Sequence, residues 1–532
     1  MILRSYNHNS LDDGFASVRI FKIMTAIFMT AIASKYNPKI LPAFGVFLAV
    51  AYPIFLALWH DISRSYTITP DADLVYISEA LRYVEGLPQI SFGHPAYTYS
   101  IGLGVGLQLL SLFGLVPEPS HSIAVQTQDI DAYFQSLTVG ARWLTTITCS
   151  FFVGFIIWAT KRLTSNLPLA VLAGLFFATT QGLAALNVIL RAELLSAIGL
   201  IAAYFFLRIA DQTRRKEQLF YLFLAGFATM VSLESKIQSI IPFLGIPILI
   251  LAHEQHKSSY LVSHKFERLI APLLFSVAAI IPMFVLLYFS VFHGTFGSVS
   301  SAYQGLILAY VIGSIFAYGY LRDIPYFGQL TGAVALALGL ALGVYLLFIW
   351  HSHKNLDQLV HFVEHMMKFT NLQGAHSLNV AYITDKIGIV FERRFNGHLL
   401  PIHALEFSAI LLAAVLGYKG YWRKSLLVIL FLGLSLSIEI AFGLRGFPER
   451  YFIYTEIWVI IAVLVVGVEF YQAMTLRTRA LCLLCLAFVV GWNVNLGLRA
   501  SVVPKQQETY VCYQARAYMV PELSIRFRHY CD

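Results

Sequence analysis

The sequence predicts an all-α polytopic membrane protein with about thirteen transmembrane helices, at roughly 20 residues per crossing, and amphipathic interfacial helices in its first outer loop. Three observations predict it. Of 532 residues, 58% are hydrophobic and 12% charged, with a mean hydropathy of +0.69, whereas soluble chains carry about 25% charged residues. Apolar runs of membrane-crossing length recur along the chain, and the connections between them are basic at every second position. The formal net charge of +8 is therefore read as membrane orientation, and no nucleic-acid partner is expected.

Met1 to Asn37 opens polar and has no small-residue cleavage site, so insertion is expected through the spans themselves. Within it Val18 to Ala33 is apolar, but Arg19 and Lys22 favour a surface helix. Crossing runs are expected at about 41–60, 137–160, 168–187, 192–210, 218–233, 237–253, 268–292, 304–321, 327–350, 400–417, 425–443, 451–472 and 480–500. The basic connections are Lys161-Arg162, Arg214-Arg215-Lys216, Lys257 to Arg268, Lys419 to Lys424 and Arg477 to Arg479. They assign the N-terminus and these loops to the cytoplasm. An odd number of spans then leaves 61–136, 351–399 and 501–532 on the outer side. One membrane domain over 1–500 and an outer-face tail over 501–532 are expected. No Asn-x-Ser/Thr sequon occurs, which favours a bacterial inner membrane with these segments periplasmic.

In the first outer loop, Asp71 and Asp73 precede a helix whose Leu74, Ile77, Leu81 and Val84 recur at helical spacing. An acid there can cap the helix or complement its dipole. A carboxylate partly desolvated at a membrane edge can also serve as a general base, its pKa set by burial and neighbouring charge. Two acids two residues apart can share a divalent cation, so Asp71 and Asp73 are also the candidate metal ligands, although no cofactor is required. The next stretch, Tyr97 to Leu115, is apolar enough to cross, but counting it would invert every later basic loop. It is expected to be re-entrant or interfacial.

Cys149, Cys482 and Cys485 fall in apolar runs, where a thiol behaves as a small hydrophobe. Cys512 and Cys531 lie in the polar tail, where an oxidising compartment would allow a disulfide. His361-Phe362-Val363-Glu364-His365 matches an inverted zinc-peptidase motif, with His351 and His353 nearby. The alternative is an amphipathic interfacial helix with a His-rich wet face. The aromatic content of 14% is accounted for by packing and interfacial belts.

Further charges gather at expected outer span ends: Arg191-Ala192-Glu193, Glu234-Ser235-Lys236, and Arg445 with Gly446-Phe447-Pro448-Glu449-Arg450-Tyr451. Capping and snorkelling would explain single members. Their shared side of the membrane is what suggests a site.

In order, Asp71/Asp73, Tyr76, Ala80, Gly86, His94-Pro95, Phe113-Gly114 and Ala141-Arg142 resemble the first outer loop of GT-C class membrane glycosyltransferases, which use polyprenyl-phosphate sugars. That family often has adjacent acids, whereas Ala72 separates them here. The Arg191/Glu193 pair, Glu234 with Lys236, and the late Arg450-Tyr451 are similar to its later motifs. The resemblance implies a GT-C fold and transfer of one sugar, with inversion, from a polyprenyl-phosphate donor to a glycan, lipid or protein acceptor at the outer face. It implies Asp71 or Asp73 as base. Tyr76, His94, Arg142, Arg191, Glu193, Glu234, Lys236, Arg445, Arg450 and Tyr451 would bind substrate or the donor phosphate, Lys as a point charge and Arg as a bidentate fork. Membrane lipids are the surrounding partner. Two rivals remain at this stage: a glycan polymerase or ligase centred on 351–399 with Arg393 and Arg394, and a non-enzymatic lipid or solute carrier.

Overall fold

The computed structural model describes residues 40–68, 73–87, 96–187, 189–213, 215–236, 400–444, 449–473, 476–499 and 509–531, together with a few short pieces. Every regular element among them is helical. Four helices are long and apolar enough to cross a membrane by length and composition: Pro42–Trp59, Ile130–Thr164, Ala192–Gln212 and Lys216–Ser235. Of the expected spans, 268–292 and 304–321 lie outside the described residues and 237–253 and 327–350 largely so; 18–33 and the His361 motif lie outside them too.

Helix α1 (Ile40–Trp59) leads to a 3-10 turn at Tyr66–Ile68 and then to α2 (Asp73–Val84), α3 (Tyr97–Leu112) and α4 (His121–Gln126). The next helix, α5 (Ile130–Thr164), starts seven residues before the expected span because Asp129 caps it, its side chain accepting from Ala132 N at 2.9 Å. Arg142 therefore lies well inside a helix rather than at the opening of one.

The expected single span 168–187 is instead two helices, α6 (Leu167–Ala178) and α7 (Gln181–Leu186). Polar side chains at the joint make the break tolerable. The Thr179 hydroxyl donates to Leu175 O at 2.9 Å, and Thr180 caps α7 by accepting from Leu183 N at 3.4 Å. A distant carboxylate completes the cap: Gly182 N donates to both oxygens of buried Glu456, at 3.1 Å each. A Cβ on Gly182 would stand 2.5 Å from Ile453 N and 2.6 Å from Glu456 Oε2, so glycine is required by close approach.

Helices α8 (Ala192–Gln212) and α9 (Arg215–Ser235) pack along their length. Small residues allow it: a Cβ on Gly199 would meet Ala228 O at 2.6 Å, and Ser232 Oγ donates to Ser196 O at 2.6 Å. The later helices are α10 (Leu400–Tyr418), α11 (Trp422–Leu444), α12 (Ile453–Ala473, entered through a 3-10 turn at Glu449–Phe452) and α13 (Leu476–Arg499). One apolar core joins them to α5, α6 and α8 through residues such as Phe177, Leu200, Phe431 and Trp458.

The second core lies around the loop helices and contains Leu74, Ile77, Leu81, Leu107, Phe134 and Leu137. It also contains Val511, Ala515, Met519, Leu523 and Phe527 from the tail, which folds as α14 (Thr509–Tyr518), α15 (Pro521–Ser524) and a 3-10 turn at Ile525–Tyr530. Cys512 and Cys531 are joined by a disulfide. This packing changes the expected character of α2. Its pattern suggests one wet face, yet Asp73, Ser78, Glu79 and Arg82 are buried along with its apolar residues, because α3, α4, α5 and α14 all pack against it. Helix α3 keeps an exposed face, and that face is apolar, with Val105, Leu109, Leu112 and Phe113 open.

Candidate functional site

Asp73 opens α2, where a helix cap is the local expectation. Its carboxylate does something else. Oδ1 accepts from Leu190 N at 3.0 Å, and Oδ2 faces Arg142 Nη2 at 3.6 Å. Asp73 is 2% exposed and Arg142 0%, so this is a buried ion pair that joins the loop to α5 and to the entry of α8.

Arg142 is held by more than charge. Its Nη1 donates to Ile62 O at 3.2 Å and Arg64 O at 2.6 Å, which fixes the guanidinium below the turn that follows α1. Gln135 Nε2 donates to Ser63 O at 2.7 Å and Arg64 O at 3.2 Å, securing the same turn. Two further cations lie within electrostatic reach of Asp73, namely Arg191 and Arg64. Burial and the neighbouring Arg142 push the Arg64 guanidinium down to about 10. Burial is the largest influence on Asp73 and raises its carboxyl above the usual aspartate value, against the pull of Arg142, Arg191, the Leu190 N–H and Arg64. One carboxylate thus sits among three guanidinium groups.

A second buried pair stands beside it. Glu193, in the first turn of α8, meets Lys236 just beyond α9, with Nζ to Oε1 at 3.4 Å. Arg191 and Glu193 are both almost fully buried, so neither side chain snorkels to water. Aromatic hydroxyls join the two pairs. Tyr76, one turn along α2 from Asp73, meets Tyr99 edge to face at 5.1 Å between centroids. The Tyr99 hydroxyl lies 3.5 Å from Thr145 Oγ1 and is hydrogen-bonded to the Arg191 backbone. Tyr454 of α12 meets the Ser196 side chain and lies within electrostatic reach of Glu193 and Tyr76. Tyr451 stacks on Tyr454 at 6.2 Å. Glu234 Oε2 accepts from Thr98 Oγ1 at 3.2 Å and so ties the end of α9 to the start of α3, while its buried Oε1 has no hydrogen-bond partner among the described residues.

Of the residues expected from sequence, Asp73, Tyr76, Arg142, Arg191, Glu193, Glu234, Lys236 and Tyr451 fall within this continuous buried region. Asp71, His94 and Arg445 lie outside the described residues, and Arg450 is described only as part of the 3-10 turn before α12. Sequence reasoning passed over Arg64, Thr98, Tyr99, Thr145 and Tyr454. Arg64 lies shortly before the acidic motif and offered a positional signal; Tyr99 stands in the helix after it, and Tyr454 offered only its three-residue spacing from Tyr451. Among the described residues no group of three or more His, Cys, Asp and Glu could hold a metal ion.

Chemically the arrangement offers a desolvated carboxylate with a raised pKa, several fixed cations and hydroxyl donors around it. Those are the parts needed to accept a proton and to steady an anionic leaving group. No protein-family model matches the chain, and no curated protein matches it at a significant level.

Proposed function

We propose that this protein is a GT-C type membrane glycosyltransferase that moves one sugar from a polyprenyl-phosphate donor to a glycan, lipid or protein acceptor at the outer face of a bacterial inner membrane. The observation that carries the proposal is the convergence of Asp73, Arg64, Arg142 and Arg191 with the Glu193–Lys236 pair, drawn from five separate stretches of sequence. Cofactors are not required by this chemistry.

Asp73 is the general base. It takes the proton of an acceptor hydroxyl as that oxygen attacks the anomeric carbon, and the bond from that carbon to the phosphate oxygen breaks. Burial makes Asp73 a stronger base than a solvated aspartate. Arg142 and the Leu190 N–H orient it. The departing polyprenyl phosphate is an anion, and Arg191 and Lys236 are the groups assigned to it, one as a planar fork and the other as a point charge. Arg445 and Arg450 keep the same assignment. Nucleotide sugars are cytoplasmic, so an outward-facing enzyme needs a lipid-borne donor, and the apolar open face of α3 gives the prenyl chain a neighbour.

The test is transfer from a polyprenyl-phosphate sugar by purified protein in detergent. The expected loss for Asp73→Asn is about 100-fold or more in kcat, the scale of a general base. A carrier would give no transfer by the wild type. A polymerase or ligase centred on 351–399 would depend on Arg393 and Arg394 while tolerating Asp73→Asn. Asp71→Asn, run in parallel, shows which acid is the base.

A further inference from the structure

We propose that the disulfide-closed segment 509–531 is a redox-sensitive clamp that holds α2, and with it Asp73, in working position. The apolar face of α2 is covered in part by the tail, whose apolar residues share one core with it, and its polar residues are buried as well.

Three kinds of contact make the clamp. The first is apolar: Val511, Ala515, Met519, Leu523 and Phe527 share a core with Leu74, Ile77 and Leu81. Phe527 meets Phe134 edge to face at 5.2 Å and Tyr66 at 6.5 Å, so it plugs the gap between the post-α1 turn and α5. The second is polar. Tyr66 and Tyr530 both donate to Asp131 Oδ1, and His529 Nε2 lies 3.2 Å from Asp131 Oδ2. Arg526 also donates to Thr127 O. The third is electrostatic, since Glu522 lies within reach of Arg82 on α2 and His121 on α4.

The disulfide decides whether these contacts act together. It links the first turn of α14 to the residue after the last 3-10 turn, closing a loop of sequence separation 19 around the whole tail. Its elements are short, 10 and 4 residues for α14 and α15, and helices of that length are marginal in isolation. Closure removes conformational freedom from the detached tail and so favours the docked one. When an external dithiol supplies two electrons and two protons, the Sγ–Sγ bond breaks to two thiols and the dithiol becomes a disulfide. The tail then docks less tightly, and α2 loses part of the core that covers Leu74, Ile77 and Leu81. Asp73 sits on the first turn of that helix, 3.6 Å from Arg142, so loosening α2 disturbs the pair directly.

The clamp stands on packing alone; its effect on sugar transfer rests on the function proposed above. The experiment measures amide hydrogen exchange in the full-length protein in detergent, before and after dithiothreitol, with loss of the bond verified by thiol labelling. Reduction acts on protein already folded, so a folding defect is not a confounder. Exchange over 74–84 is expected to quicken about tenfold or more together with that over 509–531, because both segments open as one unit. Phe527→Ala, with the disulfide intact, is expected to quicken exchange over 74–84 in the same direction. Quickening confined to the tail, or no change in either segment, overturns the clamp. Transfer assayed on the same samples is a separate readout: α2 loosened with transfer unaffected supports the clamp and counts against Asp73 as base.

Discussion

Removing Arg142 should destabilise the protein more than removing Asp73 and Arg142 together. The pair is buried at 3.6 Å with side-chain exposures of 0% and 2%. At an effective dielectric of about 20, such a separation corresponds to an attraction of about 4–5 kcal/mol. Much of that only offsets the desolvation of two ions. Arg142→Ala alone leaves Asp73 buried without its nearest cation and strips donors from Ile62 O and Arg64 O. Breaking a buried pair from one side costs about 3–5 kcal/mol. Asp73→Asn keeps a neutral acceptor for Leu190 N, so its cost should be smaller, about 1–3 kcal/mol. In Asp73→Asn/Arg142→Ala no charge is stranded, and a coupling of about 2–3 kcal/mol should appear in the double-mutant cycle. The assay is equilibrium unfolding of the four proteins in mixed micelles, followed by tryptophan fluorescence. Additivity within about 0.5 kcal/mol would falsify the account, because it would mean that the two side chains do not sense each other.

The remaining expectations concern protonation and packing. Burial raises the Asp73 carboxyl, and a base works only when deprotonated. Transfer should therefore fall as pH drops through a value above the usual aspartate range, and in Arg142→Lys, where the pairing is weaker, that limb should move to higher pH. Stability runs the other way: the neutral carboxyl is the less costly buried form, so its contribution is complete below the unfolded aspartate pKa and lost as pH rises through the folded one. Unfolding midpoints of wild type and Asp73→Asn, compared between about pH 4 and 7, should diverge in that sense. At the α6–α7 break, Gly182→Val should cost about 2 kcal/mol or more through overpacking against Ile453 and Glu456, seen as a lower unfolding midpoint. Gly199→Leu should separate α8 from α9, weaken the Glu193–Lys236 contact and raise the donor KM more than it lowers kcat.

The helical class and the positions of most described spans were legible because lipid-facing helices must be apolar over a fixed length. Spans 41–60, 192–210 and 218–233 match α1, α8 and α9 to within a few residues. The break inside 168–187 was not legible, since Thr179 and Thr180 are tolerated in apolar helices and become a joint only where Glu456, far along the chain, reaches Gly182. Individual acids and bases at span ends were visible as charges out of place. Their partners were not: Asp73 meets Leu190 and Arg142, respectively 117 and 69 residues along the chain.

By itself, then, the sequence determined composition-driven properties: the helical class of the described residues, four segments long and apolar enough to cross a membrane, and which ionisable residues stand where burial is costly. Tertiary structure alone decided that Asp73 pairs with a cation instead of capping its helix, that Glu193 takes Lys236, and that the tail covers α2. The physical reason is range. Helix formation and membrane partition depend on residues within one or two turns of each other, whereas the energy of a buried charge depends on whatever side chain packing brings within about 4 Å of it.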